Sequence, residues 1–540
     1  MKKIAVLALN ILPFIIGLSL GLYFITLNIT GTSFSYFPGD LGDARFNMYV
    51  LEHAHKFLTG QAESLWNAPF IFPEADIISY SDNLVGSAPL YSIFRIIGGD
   101  RETSFQWWFV LMAILSYSTC YLFLKNVFKN KYAAVLGAIV FAFSMALQSK
   151  MVHAQNFPRF PIPLAFWAAY LFIDDFKPKY FFVALLMVVY QLYCGIYLGL
   201  MLMASIGIML ILIILFNRQV LMEKLKDTKW LMFIGASVLV NILAILPLML
   251  PYLKRAKEVG EYSYEGILST VPTLKSFFFS SDGSIFWNFL NQTGINLPAW
   301  WDHQIFAGGI ATLSILLLFF VTISKIINQN TFSKIKLDKK LLILALSGLV
   351  TFIFFIRFGD FSFYGVVFAF PGFNALRSLT RIINIELIFY SIAVAYLFSL
   401  IFKKQNLIAA VGFILLAGAL IADNYFWTSP YQNEVWIPYR MEKQISQTRV
   451  NNLIAKMQDI PPNSVVSYEP NITAYDPNKQ IEYQVDAMLA CQTLNLKCVN
   501  GYTLTAPQGY ADYWVEMSAE SRKSWLKYKN FNSDNVYIVH

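Results

Sequence analysis

The stretch Ile11–Gly60, ILPFIIGLSLGLYFITLNITGTSFSYFPGDLGDARFNMYVLEHAHKFLTG, decides how the whole chain is read. Its first part, up to Thr30, carries no charge and is long enough to cross a bilayer. Just beyond it stand two carboxylates, Asp40 and Asp43. Phe46, Tyr49, Val50, Ala54, Phe57 and Leu58 then recur at helical spacing, with Arg45, Glu52, His55 and Lys56 on the opposite side. Gly60 closes the pattern as a helix stop. The spacing predicts an amphipathic helix lying in the membrane surface directly after the first span. Asp40 could cap it and Asp43 could sit in its first turn, where backbone N–H groups favour negative charge. A cap accounts for one acid. Two acids flanked by Gly39 and Gly42, which let backbone approach a ligand closely, point to a site.

Composition supports a membrane chain throughout. Only 14% of the 540 residues are charged and 57% are hydrophobic, where a soluble domain carries about a quarter charged residues. The net charge of +8 is no nucleic-acid signal, because most Lys and Arg fall in short loops between apolar runs and there set orientation. Lys2 and Lys3 predict a cytoplasmic N-terminus and a retained first span. Further spans follow at Trp107–Leu124 and Tyr132–Leu147, and a fourth ends at the acidic-basic segment DDFKPKY. Phe181–Phe216 is too long for one span and suits a hairpin turning near QLYCGIY. A seventh span, Leu231–Leu250, exits at Pro251. The eighth enters near Ile305 and ends in the basic connector around Lys336, the ninth exits near Ile356, and the last two end at KKQN and Asp423.

The expected fold is therefore mainly α: about eleven transmembrane helices over residues 1–424, with large external loops at 28–106 and 251–304. Residues 425–540 hold no spanning run. Their Pro461-Pro462 pair and the strand-like pieces SVVSY, IEYQV and NVYIV predict a small external α/β domain. Cys120 and Cys194 lie in apolar runs. Cys491 and Cys498 fall close together in the polar part, where an oxidising compartment would permit a disulfide, and unpaired thiols suit the sequence equally well. There is no Walker loop, no GxGxxG and no Cys/His metal spacing.

Further chemistry-bearing residues cluster at the same membrane face. NALRSLTRIIN puts Arg377 and Arg381 four apart, with Asn374 on the same face. Guanidinium forks suit phosphate oxygens, the alternative being snorkelling to lipid headgroups. Asp82 lies late in the first loop, as a second acid or as half of a turn-forming Asp-Asn pair. KMVHAQNFPRF brings His153, Gln155 and Arg159 to the outer end of the fourth span, and His303 opens the eighth.

A first span, an external loop opening with acids and an amphipathic helix running along the membrane resemble the GT-C glycosyltransferases. These include the protein mannosyltransferases and the aminoarabinose transferases of lipid A. The resemblance covers the layout of the whole chain, but many members carry adjacent acids where this chain has Asp-x-x-Asp. It implies a polyprenyl-phosphate-linked sugar donor, and a glycan, lipid or protein acceptor. Asp43 or Asp40 would serve as base, with Asp82 assisting. Arg377 and Arg381 would bind the donor phosphate, and His153, Gln155, Arg159, Asn374 and His303 would touch substrate. The implied location is the external face of a bacterial cytoplasmic membrane. Mg²⁺ or Mn²⁺ could bind loop-one carboxylates, although no full ligand set is visible. The competing function is a transporter or lipid-linked glycan flippase, which should show paired internal repeats.

Overall fold

The computed structural model describes residues 2–260, 262–327, 337–370, 372–404, 406–428, 439–471 and 476–540. Lys336 and most of its basic connector lie outside them. Each of the eleven apolar segments forms a helix. Seven helices among the described residues are long and apolar enough to cross a membrane, and Pro178–Cys194 and Leu407–Asp423 are shorter apolar helices. The chain is a multi-pass, mainly α membrane protein.

Burial separates the inside of the bundle from its lipid-facing side. The apolar stretch of Lys131–Lys150 is wholly buried, whereas that of Thr228–Glu258 is 17% buried. The first packs against Arg101–Phe128 and Ile383–Ile401 and forms the axis of the bundle. Small residues permit this: a Cβ at Gly137 would lie 2.6 Å from the Ser391 carbonyl. Thr228–Val259 instead turns Leu239, Leu243 and Leu250 outward.

Two spans differ from expectation. The hairpin turns at Gly195, between Pro178–Cys194 and Ile196–Phe216. The seventh helix does not stop at Pro251 but runs to Val259 with Pro247 and Pro251 inside it. Loop one holds its far end: the Tyr252 hydroxyl donates to the Ser81 carbonyl at 2.8 Å and Lys254 pairs with Asp76 at 2.8 Å.

The predicted loop-one helix spans Asp43–Leu58. Its charged face, however, is not turned to solvent. Arg45 and Glu52 are buried, and each has found an opposite charge. Arg45 donates to Asp486 of the C-terminal region at 2.5 Å, and Arg95 clasps Glu52 through Nε and Nη2 at 2.8 and 2.9 Å. The periodicity identified the helix, but the polar stripe is an internal interface.

That C-terminal region is mixed α/β. A three-stranded parallel sheet, Lys497–Cys498, Val465–Tyr468 and Val536–Val539 in spatial order, packs with the helices Lys443–Met457 and Pro477–Leu494. SVVSY and NVYIV are strands as expected. IEYQV is not: it lies inside Pro477–Leu494, a helix opened by the Asp476 cap and by Pro477 in its first turn. Cys491 and Cys498 are buried free thiols. The antiparallel pair Tyr36–Pro38 with Arg440–Glu442 stitches the start of loop one to this region.

Candidate functional site

The Pro38–Asp43 turn sets the first acid pair. Gly39 has φ +98°, and a Cβ there would lie 2.4 Å from the Ala44 Cβ. At Gly42 it would lie 2.7 Å from Ile481. Both glycines therefore serve close protein packing, not the ligand approach expected of them. The turn gives the two acids different jobs. Asp40 Oδ1 accepts from the Ala44 N–H at 2.9 Å, which is a helix cap. Asp43 instead faces a chamber of about 60 Å³.

Asp43 is held from two sides. The Tyr502 hydroxyl donates to Oδ1 at 2.5 Å, and His153 Nδ1 lies 3.1 Å from Oδ2. Burial alone would raise its pKa. The His153 and Tyr502 hydrogen bonds and the His153 and Arg381 charges outweigh burial and hold the carboxyl below the usual range. Burial, then the Arg381 charge, lowers the pKa of His153 against the opposing pull of Asp43. Asp40 moves the other way: burial, with the Asp43 charge added, pushes it up to about 7.

Asp82, Gln155, Tyr197, Arg377 and Arg381 line the same chamber. Asp82 Oδ1 accepts from the Ile196 N–H at 2.7 Å, at the positive end of the helix Ile196–Phe216. Among the described residues neither its Oδ2 nor Gln155 Oε1 has a hydrogen-bond partner. Burial raises the Asp82 pKa against the pull of those amides and of Arg381. Arg381 is buried against the Tyr197 ring, 4.7 Å from its centroid, with Nε unpartnered. The same Tyr197 accepts from the Arg377 backbone N–H at 3.2 Å. The chamber thus gathers two carboxyls, an imidazole, side-chain amides and two guanidinium groups.

A larger cavity of about 340 Å³ adjoins it, sharing Ser81, Asp82, Tyr197 and Leu504. Met249, Tyr252, Leu253 and Leu200 line it, with Arg255 and Lys257 at the rim. These residues lie on Thr228–Val259, the helix most open to lipid, and on Ile196–Phe216.

The chamber gathers Asp43, Asp82, His153, Gln155, Arg377 and Arg381. The other expected residues lie elsewhere. Asp40 caps the helix. Asn374 lines the adjoining cavity. Arg159 faces a separate cavity. His303 is a structural residue, with Nδ1 2.7 Å from Ser276 Oγ and Nε2 2.8 Å from the Ser269 carbonyl. Tyr502, Tyr197 and Asn47 line the chamber without having been singled out from sequence. Nothing in the spacing of VNGYTLT marks Tyr502, because its role comes from a contact 459 residues away in the chain. Among the described residues, no group of three or more His, Cys, Asp or Glu side chains is positioned to hold a metal ion.

No family model matches the chain, and no curated protein does. Solved structures are similar to it. The oligosaccharyltransferase of Archaeoglobus fulgidus in its apo form aligns at 10% identity and TM-score 0.44, over 97% of this chain and 69% of that one. Oligosaccharyltransferase AglB from the same organism, solved with an inhibitory peptide and a dolichol-phosphate, aligns at 12% identity and TM-score 0.47, over 97% and 68%. Arabinofuranosyltransferase AftD from Mycobacteria aligns at 14% and TM-score 0.38, over 82% of this chain and 30% of that one. None reaches a TM-score of 0.5, and the functional reading rests on the chamber itself.

Proposed function

We propose that the protein is a membrane glycosyltransferase that moves one sugar from a polyprenyl-phosphate donor to a hydroxyl of a glycan, lipid or protein acceptor. The observation that carries this is the chamber: Asp43, held below the usual carboxylate range, shares it with two arginines that form no ion pair among the described residues, and an apolar cavity on the least buried of the candidate spans adjoins it.

The residues suit one displacement. The acceptor oxygen attacks the anomeric carbon, the bond from that carbon to the phosphate oxygen breaks, and the hydroxyl proton passes to the Asp43 carboxylate. Tyr502 and His153 orient that carboxylate. The departing lipid phosphate is an anion, and Arg377 and Arg381 stabilise the charge it gains. Asp82 Oδ2 and Gln155 Oε1 accept from sugar or acceptor hydroxyls and so fix the ring. The polyprenyl tail occupies the larger cavity and leaves through its lipid side. The reaction face is external, with a cytoplasmic N-terminus, as the basic connectors suggest.

The test is mass spectrometry of surface glycans from cells with the wild-type gene, without it, and with Asp43→Asn. Loss of one sugar in the last two, with normal protein levels, supports the reading. Unchanged glycans, together with uptake or flipping of a lipid-linked glycan that depends on the protein, would replace it with the transporter alternative.

A further inference from the structure

The segment between the helix Lys339–Phe355 and Arg377 holds a hairpin with its faces reversed. Two strands, Arg357–Phe358 and Phe361–Ser362, pair antiparallel, with Arg357 opposite Ser362 and Phe358 opposite Phe361. Residues opposite one another share a face. One face is polar and fastened to protein. Ser362 is buried, and its N–H donates to the Tyr264 hydroxyl at 3.0 Å. Arg357 donates to the Pro272 carbonyl through its backbone N–H at 2.7 Å and to the Leu268 carbonyl through Nη1 at 2.8 Å. The other face is aromatic and uncovered. Phe358 and Phe361 are 54% and 53% exposed, and the Phe361 ring meets that of Phe363, itself exposed, at 5.1 Å. Val366 and Phe370, further along, are exposed as well. A hairpin in water turns its polar face out, and a contiguous exposed apolar patch marks a contact surface.

What covers the aromatic face follows from depth. The helix Lys339–Phe355 has 17 residues and runs about 25 Å, whereas the hydrocarbon core of a bilayer is about 30 Å thick. Lys339 and Lys340 mark its watery end, so the hydrocarbon layer reaches past Phe355 to the level of the hairpin. Ile353, in the last turn of this helix, is already exposed on the span's outer side. Asp360 stands with Gly359 at the hairpin's tip, so the hairpin lies along the membrane surface and does not enter it tip first.

We infer that the hairpin and Phe363 form a membrane-docking element, with Phe358, Phe361 and Phe363 set among the lipids of the leaflet on the chamber's side. The partner is the lipid surface itself, where aromatic side chains are at home. A consequence for the chamber rests on the reading given above. Leu268 and Pro272, which hold Arg357, flank Thr270, whose hydroxyl donates to the Arg377 carbonyl. One short stretch of loop therefore carries both the docked hairpin and Arg377. Docking fixes this arginine at the depth of the lipid phosphates, where a polyprenyl phosphate presents its own.

The experiment places a spin label on the full-length protein in lipid nanodiscs, at Phe358→Cys, Phe361→Cys and Phe363→Cys in turn. The four native cysteines are buried and out of the reagent's reach. Ile353→Cys is the lipid-facing reference, and Tyr537→Cys, exposed on the C-terminal sheet, is the water-facing one. Each label is read for collision with oxygen, which partitions into lipid, and with a water-soluble nickel chelate. The hairpin labels should match Ile353→Cys, with oxygen access high and nickel access lost. Nickel access equal to that of Tyr537→Cys would overturn docking and leave the aromatic face to a partner protein. Three positions are read separately, so one variant that fails to fold leaves two. Depth is measured without catalysis, so this result stands or falls apart from the transferase reading. The link to Arg377 has its own measurement: Phe358→Ser combined with Phe361→Ser should raise KM for the lipid-linked donor and spare kcat. An unchanged KM would overturn that link.

Discussion

The loop-one helix Asp43–Leu58 has two charged regions, and they are treated in opposite ways. Along its body the charges are matched. Arg45 meets Asp486, which is held in turn by Arg449 at 2.7 Å, and Glu52 meets Arg95 and the Tyr91 hydroxyl. At its first turn Asp43 meets the Tyr502 hydroxyl and the His153 imidazole, and Arg377 and Arg381, which line the same chamber, form no ion pair among the described residues. Matched charges hold two parts of a protein together. Charges left without an ionic partner in a shared chamber are available to something that enters it. This difference separates structural from chemical residues better than burial does, since Arg45 and Arg381 are both buried.

The comparison is broken most sharply by exchanging the losses. Asp43→Asn should reduce transfer about 10²–10⁴-fold, the usual worth of a positioned base, with melting temperature nearly unchanged. Asp486→Ala should do the reverse. It strands Arg45 without its partner, which costs about 3–5 kcal/mol of stability, so the protein should unfold at lower temperature or fail to accumulate. Transfer per folded molecule should survive. If Asp43→Asn lowered stability and left turnover intact, the two regions would be the same kind of structure.

The cations give the next largest effect. Arg381→Lys keeps a positive charge but loses the planar fork and its seat on Tyr197, so donor binding should weaken by about 2–5 kcal/mol, read as a raised KM for the lipid-linked donor. Arg45→Lys should leave KM alone. Equal KM changes in the two would show that neither arginine addresses the donor selectively.

Tyr502 tests the boundary between the regions, since it belongs to the C-terminal part yet lines the chamber. Tyr502→Phe removes one hydrogen bond to the Asp43 carboxylate while keeping the ring against Phe46 and Trp514. The bond favours the ionised form. Without it the Asp43 pKa rises. The acid limb of the pH–rate profile should then move to higher pH. An acid limb identical to wild type would make Tyr502 a packing residue.

How much of this could be read from sequence follows from the range of each interaction. The spans were legible because length and apolarity in one segment determine them. The structure lines one chamber with Asp43, Asp82, Arg377 and Arg381, each near the end of an apolar run, but leaves Asp40, expected beside Asp43, out of it. The covered polar side of Asp43–Leu58 was not legible. Arg45 and Asp486 are 441 residues apart, and an amphipathic pattern does not say what covers its polar face. IEYQV misled because five residues fit a strand, while the helix that contains them is set by a cap and a proline upstream. His303 and Arg159 have the right residue types at the right end of the bundle. Neighbours that spacing cannot reveal gave them other environments.

Asp40 offers the smallest effect and the finest test. Its pKa in the folded protein, pushed up to about 7, lies above the ordinary carboxyl value of 3.8. A carboxyl raised in this way favours the folded state fully when protonated in both states, below the unfolded pKa. That contribution is lost as pH climbs from about 4 through 7. Asn presents the same oxygen to the Ala44 N–H but never ionises, so Asp40→Asn should keep the cap. Near pH 4 the variant and the wild type should melt together. Toward pH 8 the wild type should fall behind, because it alone must hold a second negative charge beside Asp43. Transfer by Asp40→Asn should stay close to wild type across the range, in contrast to Asp43→Asn three positions on. If the two melting curves stayed parallel at every pH while transfer collapsed, Asp40 would be the reacting acid, and the division of labour in this turn would have to be reversed.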